Sequence, residues 1–316
     1  MRLLTYKVNR PLSDAEIKNH LPQKKPSLSA PWFQLTVIRM NSVFLECVDK
    51  FYAWRGALTT LIIPSFFVPI GLMALPLDLF EKFPTLTPEK QTEALIAAIV
   101  LYLMSFLLLA LQFWALRVEC FRFTHYPTRF NRKTRMVHVF RPNNTVLSVP
   151  WDKVYFTLMY HGYSYWEVVG HILSEDGKTV LDTFPLSTQE MRDDDNPKTA
   201  LYQHWEFVRR YMEDGPQNLY NQVAVILPID EKKETFFVGF KRLLANFGFI
   251  PLGGIIFLPL VLCLSIGRWI AMRTCKLPRF PKEVESECKI EPNDPYIRDK
   301  HHLASWDDMI RRHPNN

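Results

Sequence analysis

The sequence predicts a membrane protein of mixed α and β structure, in which a transmembrane helical hairpin and a third membrane segment are joined to an antiparallel β domain capped by a helix. The mean hydropathy of −0.07 is that of a soluble chain. The apolar residues, however, are concentrated in three blocks, at 56–79, 94–116 and 247–267. Between the second and third blocks, short runs typical of strands precede one pattern of helical spacing.

The first two blocks have the length and composition of membrane spans. No residue from Gly56 to Leu77 is charged, and Ser105 and Gln112 are the polar interruptions of the run from Ala94 to Leu116. About 20 consecutive apolar residues in a helix cross the hydrocarbon core of a bilayer. We therefore expect a transmembrane hairpin. Its first helix should be bent and in need of packing partners, because it contains Pro64, Pro69 and Pro76.

The third block is less regular, and it leaves two alternatives open. Prolines and glycines interrupt it, and basic residues flank it on both sides, so that charge does not orient it. It either crosses the membrane once as a kinked span or dips in and returns. We favour the kinked crossing, which places the polar tail after residue 272 on the outer side.

Charge orients the hairpin. Residues 1–55 contain nine lysines and arginines, whereas the 78–93 connection contains two against four acidic residues. Since basic segments stay on the cytoplasmic side, we expect a multi-pass protein with its N-terminus and central domain in the cytoplasm. The predicted segments are an N-terminal cytoplasmic or interfacial segment (1–55), the transmembrane hairpin (56–116), the β domain with its capping helix (117–215), a linker (216–246), the third membrane segment (247–272) and a polar C-terminal tail (273–316).

The region after the hairpin reads as a meander of six or seven short strands followed by one helix. The strand patterns are bounded by polar turns, including an Asp176-Gly177 pair that favours a tight hairpin. The runs are Val118–Phe123, Thr128–Asn131, Met136–Phe140, Val146–Val149, Val154–Met159, Tyr165–Ile172 and Thr179–Phe184. Leu201, Trp205, Val208 and Tyr211 then recur at helical spacing. This order predicts a curved sheet or barrel with a helix at its open end.

Two strings carry a resemblance to known proteins. The run Arg129–Arg141 (RFNRKTRMVHVFR), followed by Val149–Val154 (VPWDKV), resembles the hairpin of bacterial membrane-anchored pleckstrin-homology-like (PH-like) domains. The stretch from Leu244 to Arg273 and Leu277–Pro281 is similar to an uncharacterised family of proteobacterial membrane proteins whose genes often lie near type VI secretion and polymorphic-toxin loci. The resemblance implies a PH-like domain, a bacterial inner-membrane location and a secretion or toxin component as protein partner. Its motifs are structural and define no activity.

The most specific candidate site is a basic hairpin formed by Arg129, Arg132, Lys133 and Arg135. The predicted topology holds it close to the membrane, where each basic residue gains roughly 1 kcal/mol near an anionic leaflet. We predict that it binds membrane lipids or a protein partner. The alternative is a solvated turn that merely obeys the positive-inside rule. Nucleic acid is not an expected partner, because the soluble region is nearly neutral.

Catalytic, metal and cofactor motifs are not apparent in the sequence. The string His161–Ser164 is the nearest to a nucleophile motif, and Asp193–Asp195 is the nearest to a cation loop, but a strand connection and a solvated loop explain them better. The sequence thus predicts a non-enzymatic accessory or immunity protein of a secretion or toxin system. The alternatives are an anionic-lipid-sensing module and an enzyme, which would need polar residues converging in a pocket.

Overall fold

A computed structural model describes residues 6–27, 29–161, 165–191, 198–246 and 251–301. The chain forms two compact units. The first, here called the β unit, contains the residues up to Tyr52, Phe123–Lys233 and the residues from Leu277 onwards. The second, the helical unit, contains Ala53–Arg122 and Glu234–Lys276. The helical unit therefore interrupts the β unit twice along the sequence.

The β unit contains nine strands among the described residues, in two antiparallel sheets. The strands are β1 (Arg10–Pro11), β2 (Val37–Met40), β3 (Phe44–Cys47), β4 (Thr128–Asn131), β5 (Met136–Phe140), β6 (Val146–Pro150), β7 (Val154–His161), β8 (Tyr165–Leu173) and β9 (Thr179–Met191). One sheet has the order β1-β9-β8-β7 and the other β2-β3-β4-β5-β6. Together the two sheets curl into a half-barrel.

The helices are α1 (Asp14–Lys18), α2 (Ala57–Ser65), α3 (Phe67–Lys82), α4 (Pro88–Glu119), α5 (Lys198–Glu213), α6 (Phe236–Asn246), α7 (Pro251–Thr274) and α8 (Lys282–Glu287). In the β unit, α5 closes the half-barrel as predicted. Trp205 of α5 stacks on Trp151 with ring centroids 5.8 Å apart and lies 4.7 Å from the ring of Phe156. These large aromatic side chains are fully buried and form the centre of the core.

Six of the predicted strands are present, and one is wrong. Val118–Phe123 is predicted as a strand, but α4 continues to Glu119 and the chain then turns at Phe121, whose φ is 60°. A short apolar run next to a long apolar helix does not by itself distinguish a strand from the last helical turn. The helix continues here because its apolar face is already formed.

The N-terminal segment contributes three strands that the pattern did not predict. β1 pairs with β9, and β2 and β3 extend the second sheet, where β3 pairs with β4 from Phe44↔Asn131 to Cys47↔Thr128. The sequence predicts that Pro31–Trp54 either lies at the membrane interface or packs on the β domain. The structure favours packing on the domain.

The helix over the first apolar block is interrupted close to its prolines. α2 ends at Ser65 and α3 begins at Phe67. Pro69 has no N–H to donate to the carbonyl of Ser65, four residues earlier. The side-chain amide of Gln112 on α4 donates to that carbonyl at 2.9 Å. The helix is thus interrupted at Phe66, and Gln112 of α4 donates a hydrogen bond to the carbonyl that Pro69 leaves without its usual helical donor.

Three helical stretches are long and apolar enough to cross a membrane: Tyr52–Thr85, Pro88–Glu119 and Ile256–Thr274. The third is preceded by α6, which packs against α7. Glu234, just before α6, forms an ion pair with Arg268 near the end of α7, with 2.6 Å between Oε1 and Nε. The start of α6 therefore lies close to the C-terminal part of α7, as in a helical hairpin.

The tail after α7 packs on the strands of the β unit. Met40 and Arg298 form a β-bridge, and the ring of Phe280 lies 5.9 Å from that of Phe140. A single crossing by residues 247–272 would leave the tail on the opposite side of a bilayer from the strands that it contacts. The stretch Ile256–Thr274 has the length and composition of one span, so the kinked crossing and the segment that dips in and returns both stay predictions.

Candidate functional site

The four residues of the predicted basic hairpin do not form one exposed cluster. Arg129 is buried on β4, with 1% of its surface exposed. In the turn, Arg132 is half-buried, and Lys133 is half-exposed and lies 3.0 Å from a carboxylate oxygen of Glu291. Arg135 donates to Asp152 at 2.8 Å and to Glu213 at 2.8 Å. Three of the four side chains are therefore paired with carboxylates of the chain itself.

Arg129 belongs to a row of polar side chains that crosses the whole five-stranded sheet, here called the polar row. Residues directly opposite each other on neighbouring strands point to the same face, within reach of one another. The pairing register places one residue of each strand in this row: Arg39, Glu46, Arg129, His138 and Ser148. Their side chains lie on the outer face, because Leu45, Phe130 and Val137 between them point into the core.

Glu46 lies between two arginines in this row. Arg39 Nη2 donates to Glu46 Oε2 at 2.8 Å, and Arg129 Nη2 donates to the same oxygen at 3.0 Å. Burial opposes ionisation of the Glu46 carboxyl, but the charges of Arg129 and Arg39 hold its pKa below the ordinary value. The row thus contains a buried ionised carboxylate that depends on two guanidinium groups.

His138 is the next member of the row. Its Nδ1 lies 2.8 Å from the hydroxyl of Ser148. Burial lowers the pKa of the imidazole, with a further lowering by Arg129 that is opposed by Glu287. Near neutral pH, His138 is therefore an uncharged hydrogen-bonding group.

An acidic stretch of the tail, residues 280–291, lies on this face and is here called the acidic segment. Glu285 Oε1 lies 3.1 Å from Arg129 Nη2, and Glu287 Oε2 lies 3.5 Å from His138 Nε2. Together with the pair between Lys133 and Glu291, these contacts direct two carboxylates at residues of the predicted basic site and a third at His138. Two of the four predicted binding residues, Arg129 and Lys133, thus bind the protein's own tail.

The same segment has an apolar side. Phe280, Val284 and Cys288 are buried, and they pack with Val43, Phe44 and Phe140 of the sheet. Their spacing of four residues places them on one side of α8 and its flanks. The guanidinium of Arg129 lies between two rings, 4.8 Å from the centroid of Phe44 and 4.2 Å from that of Phe280. The surface is therefore an apolar patch beside a charged row.

A second buried polar cluster surrounds Glu167 on β8. Lys50 and His161 form ion pairs with it, and the hydroxyl of Tyr6 donates to its Oε1 at 2.9 Å. Burial raises the pKa of Glu167, but His161 and Lys50 lower it more, so that it lies below its ordinary value. The pKa of Lys50 is lowered by burial, against the attraction of Glu167. The groups are directed at one another, so the cluster ties the N-terminal residues to β8.

Sequence spacing could not reveal this cluster, since Lys50 and Glu167 are far apart in the chain and join only through the sheet. No group of three or more histidines, cysteines or acidic residues suited to a metal ion occurs in the described part of the chain. The loop Asp193–Asp195 and the residues Gly162–Ser164 lie outside the described residues.

The helical unit holds one buried ion pair inside an apolar segment. Arg268 is fully buried and also donates from Nη2 to Glu234 Oε2 at 2.7 Å. A Cβ at Gly56 would lie 2.1 Å from Arg268 Cα, and one at Gly239 would lie 2.3 Å from Glu234 Oε1. The two glycines therefore allow α2 and α6 to approach α7 closely around this pair. The sequence pattern had assigned Arg268 only to the charged flank of the third block.

Comparison with known proteins identifies a family without assigning an activity. The sequence model of a family of unknown function, DUF6708, matches residues 105–292. No curated protein and no solved structure matches the chain.

Proposed function

The chain belongs to the DUF6708 family of unknown function, and we propose that it is a non-enzymatic, membrane-anchored docking protein. In this proposal the β unit is a PH-like domain held at the cytoplasmic face of a bacterial inner membrane. The order of its strands supports the PH-like assignment. β3–β6 and β7–β9 form two antiparallel meanders, and α5 follows them and closes the half-barrel.

The observation that carries the proposal is the place of the helical hairpin in the chain, between two paired strands of one sheet. The hairpin is the connection between β3 and β4, and these two strands pair with each other along four residues. The chain therefore enters the hairpin from one strand and leaves it into the neighbouring strand of the same sheet. In this proposal the domain is tethered to the membrane at two points of one sheet, which suits the capture of a partner there.

The topology follows from the same argument. The hairpin returns the chain to the side from which it left, and the α6–α7 segment does so as well, because the tail packs on the strands. The β unit and its tail then lie on one side. The excess of basic residues over 1–55 supports the cytoplasmic side.

The proposed partner is a protein of a type VI secretion or polymorphic-toxin system, with this chain as an accessory or immunity component. The support for this step is the resemblance of Arg129–Arg141, Val149–Val154 and the third apolar block to proteins of such loci. The internal pairing of the buried charges around Glu46 and Glu167 supports a structural rather than a catalytic use of those groups.

The experiment is reconstitution of a defined complex. The full-length chain is co-expressed with each protein encoded beside its gene, purified in detergent, and the mass of the complex is measured by light scattering. We expect a stoichiometric complex with one of them. The absence of any secretion or toxin gene in the neighbourhood, together with no complex, would contradict the proposal.

Lipid sensing by the basic hairpin is the second candidate. The pairing of Arg129, Lys133 and Arg135 with carboxylates supports it less, because those charges are partly neutralised within the chain. Replacement of Arg129, Arg132, Lys133 and Arg135 by glutamine should abolish binding to anionic vesicles if lipid sensing is the function. Unchanged binding excludes it.

A further inference from the structure

We propose that the outer face of the five-stranded sheet is a docking surface for an acidic amphipathic helix, which the acidic segment (residues 280–291) occupies in cis and which a partner protein occupies in trans. The inference rests on the proposed docking function and names the chemistry of the partner. It also assigns a role to the basic hairpin that differs from lipid binding.

The chemistry of the surface defines its ligand. The apolar patch of Val43, Phe44 and Phe140 accepts apolar side chains spaced by four residues, and the cationic groups beside it accept carboxylates. An acidic helix with an apolar stripe satisfies both requirements at once. The acidic segment shows that the surface accepts such a ligand.

The polar row has hydrogen-bond partners of its own within the sheet. Arg129 keeps Glu46 as its partner when Glu285 leaves, and His138 keeps Ser148 when Glu287 leaves. Among the described contacts, each residue of the polar row therefore has a hydrogen bond within the sheet that does not involve the tail. A partner would meet a preorganised site, which lowers the cost of binding.

The acidic segment leaves two buried polar atoms of this surface without a hydrogen bond. Within the described part of the chain, Nη1 of Arg129 and Nε2 of His138 are buried and have no hydrogen-bond partner. Both side chains are almost completely buried. Unsatisfied buried polar atoms are uncommon in native proteins. A carboxylate placed differently from Glu285 and Glu287 could bond both atoms, so that a partner helix can bind better than the tail does.

The contacts that keep the acidic segment on the sheet are also limited. From Phe280 to Glu291 only Phe280, Val284 and Cys288 are buried. The carboxylates of Glu285, Glu287 and Glu291 are about half-exposed, at 49%, 46% and 52%. Half-exposed ion pairs are screened by water and salt and contribute little each. Local opening of this segment is therefore expected well before unfolding of the core.

The first test uses the native cysteines of the full-length protein in detergent. Cys288 is covered by its packing on the sheet, whereas Cys47 lies in the main core of the same unit. We expect a maleimide to modify Cys288 about ten-fold or more faster than Cys47, because the segment opens locally. Equal rates that rise together in denaturant would show that the segment is an ordinary part of the core and would overturn the proposal.

A matched pair of variants separates charge from helix stability. Glu285→Gln removes the contact with Arg129, whereas Glu283→Gln changes an exposed carboxylate on the same helix that has no described ion pair. We expect modification of Cys288 to become about two- to five-fold faster in the first variant and to stay unchanged in the second. An equal change in both variants would contradict the assigned contact.

Binding in trans is tested with a fluorescent synthetic peptide of residues 278–292. The full-length variant with Phe280→Ser and Val284→Ser should bind the peptide, because its own segment is detached, and the wild type should bind it weakly. A control peptide with glutamine at 285, 287 and 291 should bind about ten-fold more weakly. Equal binding of both peptides, or binding of phosphatidylglycerol vesicles but not of the acidic peptide, would overturn the proposal. No cellular partner is used, so this result is independent of the co-expression experiment.

Discussion

Arg129 Nη2 lies 3.0 Å from Glu46 Oε2, and the two residues stand directly opposite each other on β4 and β3. Both side chains are buried. The pair therefore joins the strand before the transmembrane hairpin to the strand after it. A charge left alone at this position would have no water to replace its partner.

Glu46→Gln should destabilise the β unit strongly. The substitution leaves Arg129 buried without its principal counter-charge, and breaking a buried pair in this way costs about 3–5 kcal/mol. Thermal unfolding of the full-length protein in detergent, followed by tryptophan fluorescence, measures the effect. Lys133→Gln is the control, since its half-exposed pair with Glu291 should contribute about 1 kcal/mol or less. A similar loss in both variants would contradict the burial argument.

Gln112→Leu should weaken the transmembrane hairpin. It removes the amide that bonds the carbonyl of Ser65, and hydrogen bonds between helices in membranes contribute about 0.6–2 kcal/mol. Unfolding in a mixture of mild detergent and dodecyl sulfate measures the change. Leu111→Ile, at a neighbouring exposed position, should leave the transition in place. A Gln112→Leu variant as stable as the wild type would show that the bend does not need this partner.

Gly56→Ala should prevent the close packing of α2 on α7. The new Cβ would lie 2.1 Å from Arg268 Cα, and Gly56 has a φ of 94°, which L-residues rarely adopt. We expect a large loss of folded protein in detergent, measured by size-exclusion chromatography. Gly71→Ala provides the control, because no atom lies within 4 Å of the added carbon. Equal yields of the two variants would rule out a tight contact.

The proposed topology predicts which positions share a side of the membrane. Single cysteines at Asp176 in the β unit and at Lys289 in the tail should react with a membrane-impermeant maleimide only in inverted vesicles. A cysteine at Thr87, in the connection between α3 and α4, should react only in right-side-out vesicles. If the cysteine at position 289 reacts in the same vesicles as that at position 87, the third apolar segment crosses the membrane once and the proposed topology is wrong.

Acid should remove a contribution of Glu16 to stability. Burial raises the pKa of its carboxyl, but hydrogen bonds from Arg10 and Ser13 lower it more, to about 2. Because the folded pKa lies below the unfolded value, the stabilisation is complete above about pH 4.5 and is lost as the pH falls towards 2. The difference in unfolding free energy between wild type and Glu16→Gln should therefore shrink over this range. A difference independent of pH would exclude an ionised Glu16 as its cause.

The parts of the fold that sequence predicts are those with a local signal. The apolar runs defined α2–α4, and alternation defined β4–β9. β2 and β3 are four residues each, and their sheet partner β4 begins only at Thr128. No local pattern carries that pairing. The side of the tail stays a prediction, because basic residues flank the third block on both sides and do not orient it.

The candidate site was located by charge, but its surroundings were not predictable. A basic turn beside a membrane segment reads as solvated, and nothing near Arg129 in sequence shows that Glu46 and Phe280 cover it. A partial signal did exist. Phe280, Val284 and Cys288 recur at intervals of four among glutamates, which is the pattern of an acidic amphipathic helix. Its complementarity to the basic turn could have suggested the contact.

The hairpin connection between β3 and β4 also fixes the order of biogenesis. After β3 has been synthesised, the whole helical hairpin α2–α4 follows before the neighbouring strand β4 exists. β1 waits longer, since its partner β9 begins at Thr179. β2 and β3 can pair with each other at once, but β1 and the free edge of β3 must wait for strands that are synthesised after the hairpin. In the proposed topology, a chain whose hairpin fails to insert would leave the free edge of β3 open to aggregation and proteolysis, so that insertion acts as a checkpoint for folding of the β unit.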